Sequence, residues 1–254
     1  MNRESSPPAR NIMLTLAYDG TGFSGWQRQA KGQTLQGLVE GAMARLCGHP
    51  VTVHGSGRTD AGVHAKAQVA NFFTDSPRKA PEIVKGGNAM LPMTVAITSA
   101  MEVDPAFHAR FSAKGKTYGY DFLSSPVRDP LLANRAWHVG PNLDWAAVRA
   151  SLPSLLGTKD FKALGSSGGE VKTTVRRISR AEILEAGPGL FRLSLTGSGF
   201  LRHMVRTIAG TLWLIGRHKL APQDLLAIIE SLDRAKAGPV APPHGLCLEE
   251  VHYR

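Results

Sequence analysis

Residues 11–20, NIMLTLAYDG, read as a β-strand that closes on an Asp-Gly turn. A Gly-rich loop follows, with Trp26 and two glutamines in GWQRQ (25–29), and then the spacing changes. From Thr34 onward Leu35, Leu38, Val39, Ala42 and Leu46 recur at helical intervals, with Thr34 placed to cap the start and Gly48 to stop the end. VTVHG (51–55) and QVANFF (68–73) read as two further strands around a second Gly-rich loop. Pro81 opens a helix to about Leu91, and VAITSAMEV (95–103) is another strand. The order is strand, helix, strand, strand, helix, strand, which is the split-βαβ plan.

The second half repeats that rhythm with elaborations. KTYGYDFL (116–123) is a strand, and residues 144–156 form a helix. Residues 173–187 and 190–199 read as two strands joined by EAGPG, a hairpin turn. Leu201, Val205, Ile208, Leu212 and Ile215 mark a strongly apolar helix, a shorter helix starts near Pro222, and GLCLEEVHY (245–253) closes the chain as a strand. The expected class is α+β: two ferredoxin-like or RRM-like βαββαβ halves forming a mostly antiparallel central sheet, with helices on one side and a cleft between the halves. The expected segments are a disordered polar, Pro-rich tail over residues 1–10, an N-terminal half over 11–112 and a C-terminal half over 113–254.

Composition narrows the function classes. Hydrophobic residues are 43% of the 254 and charged residues 20%, enough for a real core. No apolar run approaches the roughly 20 residues a membrane span needs. The opening MNRESSPPAR lacks the apolar stretch of a secretory signal. Two isolated cysteines, Cys47 and Cys247, suit neither a disulfide framework nor a Cys-rich zinc site. The cytoplasm is the expected location, without membrane attachment. Thirty Lys and Arg against twenty Asp and Glu give a net charge of +10, and residues 1–127 and 128–254 are each basic, by +4 and +6. A positive balance spread through a folded body points to a polyanion, nucleic acid first.

The chemistry-bearing stretch is HGSGRTDAGVHA (54–65). A dinucleotide fingerprint would use Gly55 and Gly57, but its third glycine falls on Asp60, a carboxylate that would repel a pyrophosphate. A P-loop spacing from Gly57 to Gly62 is followed by Val63 and His64 rather than Lys and a hydroxyl residue. Asp60 with His54 and His64 lacks any recognised metal-ligand spacing. Two readings remain from residue types alone. Asp60 is either a turn-forming aspartate bonded to nearby amides, or an ionised carboxylate beside Arg58 on a loop whose glycines permit close approach.

Beyond this loop the sequence resembles a known family in several blocks. GSGRTDAGVHA with QVANFF resembles the signature of the tRNA pseudouridine synthase A family. LAYDGTGFSGWQRQ (16–29), FHARFSAKGKTYGYDF (107–122), GSGFLRHMVRTIAGTL (197–212) and APPHGLCLEEVHY (241–253) are similar to its other blocks, in its order, from about residue 13 to 253. The resemblance implies cofactor-free isomerisation of uridine to pseudouridine in the anticodon stem-loop of tRNA, at positions 38, 39 and 40. It implies Asp60 as nucleophile, Arg58 holding the target base out of the helix, Tyr118 stacking on the flipped base, and Arg206 as basic partner of the aspartate. It also implies a homodimer and no metal. Arg110, in HARF, is expected to contact phosphate. The chain departs from the family pattern at Leu164, where Phe is frequent, and at Arg202, where an aromatic is frequent. Other classes compatible with the bare residues are a catalytically silent RNA-binding protein and a metal-dependent nuclease.

Overall fold

A computed structural model describes residues 9–166 and 172–254. The expected disordered tail lies, for residues 1–8, outside the described residues; Arg10, its last residue, already belongs to the first strand. The chain divides into two compact units. The first runs to Ala113 and includes Tyr253, and the second comprises Lys114–His252 with Arg254.

In the first unit, β1 (Arg10–Tyr18), β2 (His54–Gly55), β3 (His64–Thr74) and β4 (Val95–Val103) form an antiparallel sheet in the order β4-β1-β3-β2. Strand β1 alternates cleanly: Ile12, Leu14, Leu16 and Tyr18 are buried, as the period of a strand with one core-facing side requires. Helix α1 (Leu35–Cys47) buries Leu35, Val39, Ala42, Met43 and Leu46. Its ends are those expected: the Thr34 side chain accepts from Gly37 N–H, and Gly48 takes a left-handed conformation (φ 82°) with its N–H on Ala44 O. Helix α2 (Ala80–Met90) has Pro81 in its first turn, where a missing N–H costs nothing.

In the second unit, β5 (Gly115–Leu123), β8 (Val175–Gly187), β9 (Leu190–Gly197) and β10 (Leu246–His252) are ordered β10-β5-β9-β8. β7 (Gly157–Asp160) extends the β8 side. The short β6 (Trp137–His138) joins β5 in parallel, while the other pairings described within the units are antiparallel. Across the β5–β9 ladder Asp121 faces Arg192, which donates from both Nε and Nη2 at 2.6 Å, a two-pronged charged pair inside the sheet. Helices α3 (Trp145–Ser151), α4 (Met204–Gly216) and α5 (Asp224–Ser231) complete the unit. Asp144 caps α3 by accepting from Ala147 N–H, and a 3-10 turn over Leu152–Leu155 carries the chain on, so the expected helix over 144–156 is one α-turn pair and a tighter extension.

The apolar helix expected from Leu201 begins instead at Met204, after His203 in a left-handed conformation (φ 61°). Arg202 therefore stands exposed in the preceding turn and shares no helix face with Arg206. Leu164, the other departure from the family pattern, is fully buried. Among the described residues, no helix is long and apolar enough to cross a membrane.

The α4 surface at Gly210 is in backbone contact with the segment before residue 241. A Cβ at Gly210 would lie 1.9 Å from Pro239 O, and Gly238 N–H donates to Thr211 Oγ1 at 3.0 Å. Two substitutions separate this packing from helix propensity. Gly210→Ala is expected to destabilise by about 2–3 kcal/mol, because rigid backbone must give way. Gly41→Ala, on α1 with open space around it, is expected to stabilise by up to about 1 kcal/mol. Denaturant midpoints measure both; an unchanged midpoint for Gly210→Ala contradicts the contact.

Candidate active site

Asp60 lies in the loop between β2 and β3 at the edge of the first unit's sheet. The loop backbone is irregular, so its polar groups need partners other than a ladder. At its start, Ser56 N–H donates to Val69 O at 2.7 Å and Ser56 Oγ to Gln68 Oε1 at 2.7 Å. The fully buried Gln68 then turns its amide nitrogen to Gly57 O at 2.9 Å. In the middle, Thr59 is buried and held twice: its carbonyl accepts from Trp26 N–H at 3.0 Å, and its hydroxyl pairs with the Tyr18 hydroxyl at 2.9 Å. At its end, Val63 N–H closes a turn on Asp60 O at 3.2 Å and Gly62 takes φ 77°.

Because Thr59 points into the unit, its two neighbours border the surface: Arg58 is exposed and Asp60 half-buried. Arg58 Nε donates to Gln27 Oε1 at 3.2 Å, and Gln27 donates in turn to Gln36 Oε1 at 2.7 Å. Gln36 is anchored to the buried carboxylate of Glu40, which also accepts from Val53 N–H and from Arg28. That carboxylate is buried but partnered on both oxygens, the condition under which burial of charge is tolerated. The structure thus brings Arg58 and Asp60 together on one loop, and it ties Arg58 to the GWQRQ segment.

Gly55 of this loop, with Gly20 and Gly25 of the facing one, stands where close packing leaves no room for a side chain. A Cβ on Gly55 would come 2.4 Å from Trp26 Nε1, and one on Gly25 would come 2.7 Å from Thr59 O. A Cβ on Gly20 would lie 2.1 Å from Val63 O. These glycines let two loops and an indole close on one another. Trp26, read from sequence as a loop aromatic, is a buried floor beneath the loop, with its ring 6.3 Å from that of Tyr18. Tyr18, Thr59 and Gln68 carry no sequence signal of their own beyond lying on or beside the matched blocks.

The two histidines of the stretch part company. His64 is buried, its Nδ1 3.1 Å from both Gly20 N and Asp19 Oδ1. The His54 ring lies 5.1 Å from that of His108. Among the described residues, no three His, Cys, Asp or Glu side chains converge on a point that could hold a cation. Arg110 is in the first unit as well, exposed, with its guanidinium carbon 5.7 Å from the Phe111 ring centre.

Tyr118 and Arg206 belong to the second unit. Tyr118 is a buried strand residue of β5, and Phe200 meets its ring edge-on at 5.2 Å. Arg206 is half-buried on the first turns of α4; its Nε donates to Ala241 O at 2.7 Å, and Ala241 N–H returns to Arg206 O at 3.1 Å. Close by, the Tyr120 hydroxyl donates to Pro242 O. Burial pushes the Tyr120 phenol well above its ordinary range, against the weaker pull of the Arg206 charge. The APPHG segment is thereby fixed to both α4 and β5.

The family model described as tRNA pseudouridine synthase matches residues 15–112 and 152–254. The tRNA pseudouridine synthase A of Geobacter sulfurreducens is 43% identical over 244 residues, covering 96% of this chain and 100% of the relative. That of Neisseria gonorrhoeae is 44% identical over 241 residues, with 94% of this chain and 91% of the relative covered. That of Ruminiclostridium cellulolyticum is 41% identical over 244 residues, covering 96% and 100%. With relatives of this identity matched along nearly their whole length, and with the signature loop built as a braced carboxylate-bearing turn, the chain belongs to the tRNA pseudouridine synthase family.

Proposed function

We propose that this chain converts uridine to pseudouridine in the anticodon stem-loop of tRNA, at positions 38, 39 and 40, with Asp60 as nucleophile. It is an isomerase acting on tRNA uridine. The observation that supports the assignment of Asp60 is the bracing of its loop: Thr59 is locked from beneath, so the backbone that carries the neighbouring carboxylate is fixed before substrate arrives. The reaction breaks the C1′–N1 bond, turns the uracil, and forms C1′–C5; the proton lost from C5 is matched by one gained at N1, so no cofactor enters the balance. A carboxylate assisting at the sugar is the usual means of cleaving a glycosidic bond through an oxocarbenium-like state.

In the same reading, Arg58 holds the target base out of the helix, Tyr118 stacks on the flipped base and Arg206 supplies positive charge to the reaction. Arg110 contacts phosphate. Extrusion of a stacked base costs a few kcal/mol, offset by pocket contacts. Support for these roles is the position of each residue in a block matching the family. A homodimer in the cytoplasm is part of the same reading; both cysteines, Cys47 and Cys247, are unbridged. The two halves are proposed to be variants of one split-βαβ plan, a reading supported by the parallel strand orders β4-β1-β3-β2 and β10-β5-β9-β8.

Asp60→Asn keeps the shape of the loop while removing the charge. In tRNA carrying tritium at uridine C5, the wild-type protein is expected to release label as C1′–C5 forms, and Asp60→Asn to slow release about a thousand-fold or more. Release at the wild-type rate would sink the assignment. Binding to tRNA is expected to weaken steeply with salt, and Arg110→Gln to reduce the slope of log affinity against log salt by about one. An unchanged slope removes Arg110 from the phosphate contacts.

A further inference from the structure

The segment between β4 and β5 has no regular structure, yet it is fastened by buried side chains. Asn11 and Asn71, essentially unexposed, bond to each other at 2.9 Å. Asn11 donates to Asp104 O and Phe107 O, and Asn71 accepts from Ala109 N–H at 2.9 Å. Tyr253 donates its hydroxyl to Ala109 O at 2.7 Å and lays its ring 5.1 Å from that of Phe107. Buried carboxamides are costly unless each polar atom is paired, and here the pairing serves to hold one short segment in a fixed course.

What the segment displays is a run of rings. His108 is braced from its own neighbours: its N–H donates to Ser112 Oγ, its carbonyl accepts from Ser112 N–H, and its Nδ1 accepts from Arg110 N–H. That last bond puts the ring proton on Nε2. Burial, the His54 ring and the Arg110 guanidinium all hold His108 below the ordinary histidine range, favouring a neutral ring. Two rings neighbour that of His108, each tilted against it: His54 at 5.1 Å and 37°, and Phe111 at 4.4 Å and 40°. Phe111 ends the run 75% exposed, with Arg110 at its face. His54 also pairs in register with Asn71 across β2–β3, so the staple that fixes Ala109 sits opposite the base of the Asp60 loop.

A single exposed phenylalanine is ordinary. This one sits on a fastened segment, packs its ring against that of His108, and lies beside a cation on a chain of net charge +10. We infer that Phe111, backed by the His108 and His54 rings, is a stacking platform for an unpaired base of the tRNA, whose adjoining phosphate is met by Arg110. A base offers a flat π-face to Phe111 whatever its identity, and its backbone supplies negative charge for Arg110. The inference rests on the reading that tRNA is the substrate, and it adds a base contact at Phe111 to the phosphate contact proposed for Arg110.

The test is equilibrium binding of unmodified tRNA at fixed salt by wild type, Phe111→Leu, Phe111→Trp and Met93→Ala. Met93 is fully exposed, so its substitution controls for loss of surface apolar area. Phe111→Leu, which keeps bulk but not a ring face, is expected to bind about tenfold more weakly. Phe111→Trp is expected to stay within about twofold of wild type, and Met93→Ala to match it. Wild-type affinity in Phe111→Leu overturns the platform. So does a change in the mass of RNA-free Phe111→Leu by sedimentation, since the ring would then be a contact between copies of the chain. Pseudouridine formation by the wild type, measured alongside, reports on the function separately: yield with an unaffected Phe111→Leu refutes only the platform, and no yield refutes the function while the binding ratio still decides the platform.

Discussion

Thr59 is held from two directions, and the candidate site depends on both. Its hydroxyl meets Tyr18, the last residue of β1, and its carbonyl meets the N–H of Trp26 in the next loop. Tyr18 stands where it does because Ile12, Leu14 and Leu16 fix the rotation of β1 against the core. A one-residue slip would turn that hydroxyl to the other side of the sheet. The indole of Trp26 can approach only because Gly55 has no Cβ to block it, and the two loops can close only because Gly25 has none to meet Thr59 O. An apolar alternation some distance away in the chain thus fixes the residue beside Asp60, and preorganisation of this kind is what makes a charged group effective at a reacting centre.

The same economy recurs elsewhere in the first unit. Irregular segments are held by buried polar side chains whose partners are backbone groups: Gln68 on Gly57, Glu40 on Val53, Asn11 on Asp104 and Phe107, Asn71 on Ala109. Each would be a liability if one partner were lost, because a desolvated polar atom costs more than a satisfied one contributes. The second unit combines the same device with close backbone approach. Gly210 admits Pro239, Gly238 binds Thr211, and Ala241 is bonded in both directions to Arg206. In both units, an arginine or aspartate singled out for its chemistry is backed by neighbours whose residue types announce none.

Much of the element order was legible because it follows from local chemistry. Thr34 and Gly48 bound α1 as their capping properties require, and strands β1, β4 and β5 coincide closely with their apolar runs. The start of α4 was not legible, since Leu201 is buried like a helix residue but lies in a turn before it. Strand β2 is two residues long rather than five, and β6 and β7 are too short to show a period. For the site, Asp60 and Arg58 were visible as residue types between glycines. The purpose of Gly55 was not, because a glycine that admits a substrate and one that admits an indole look alike in a sequence. Phe111 was likewise hidden: its exposure is set by long-range bonds from Asn71 and Tyr253 to Ala109.

The measurement that bears most directly on the account is site-resolved mapping of pseudouridine in tRNA from cells lacking this chain. The account predicts loss of the modification at positions 38, 39 and 40, restored by the wild-type chain and not by Asp60→Asn. Retention of those pseudouridines in the deficient cells, or their restoration by Asp60→Asn, would contradict it.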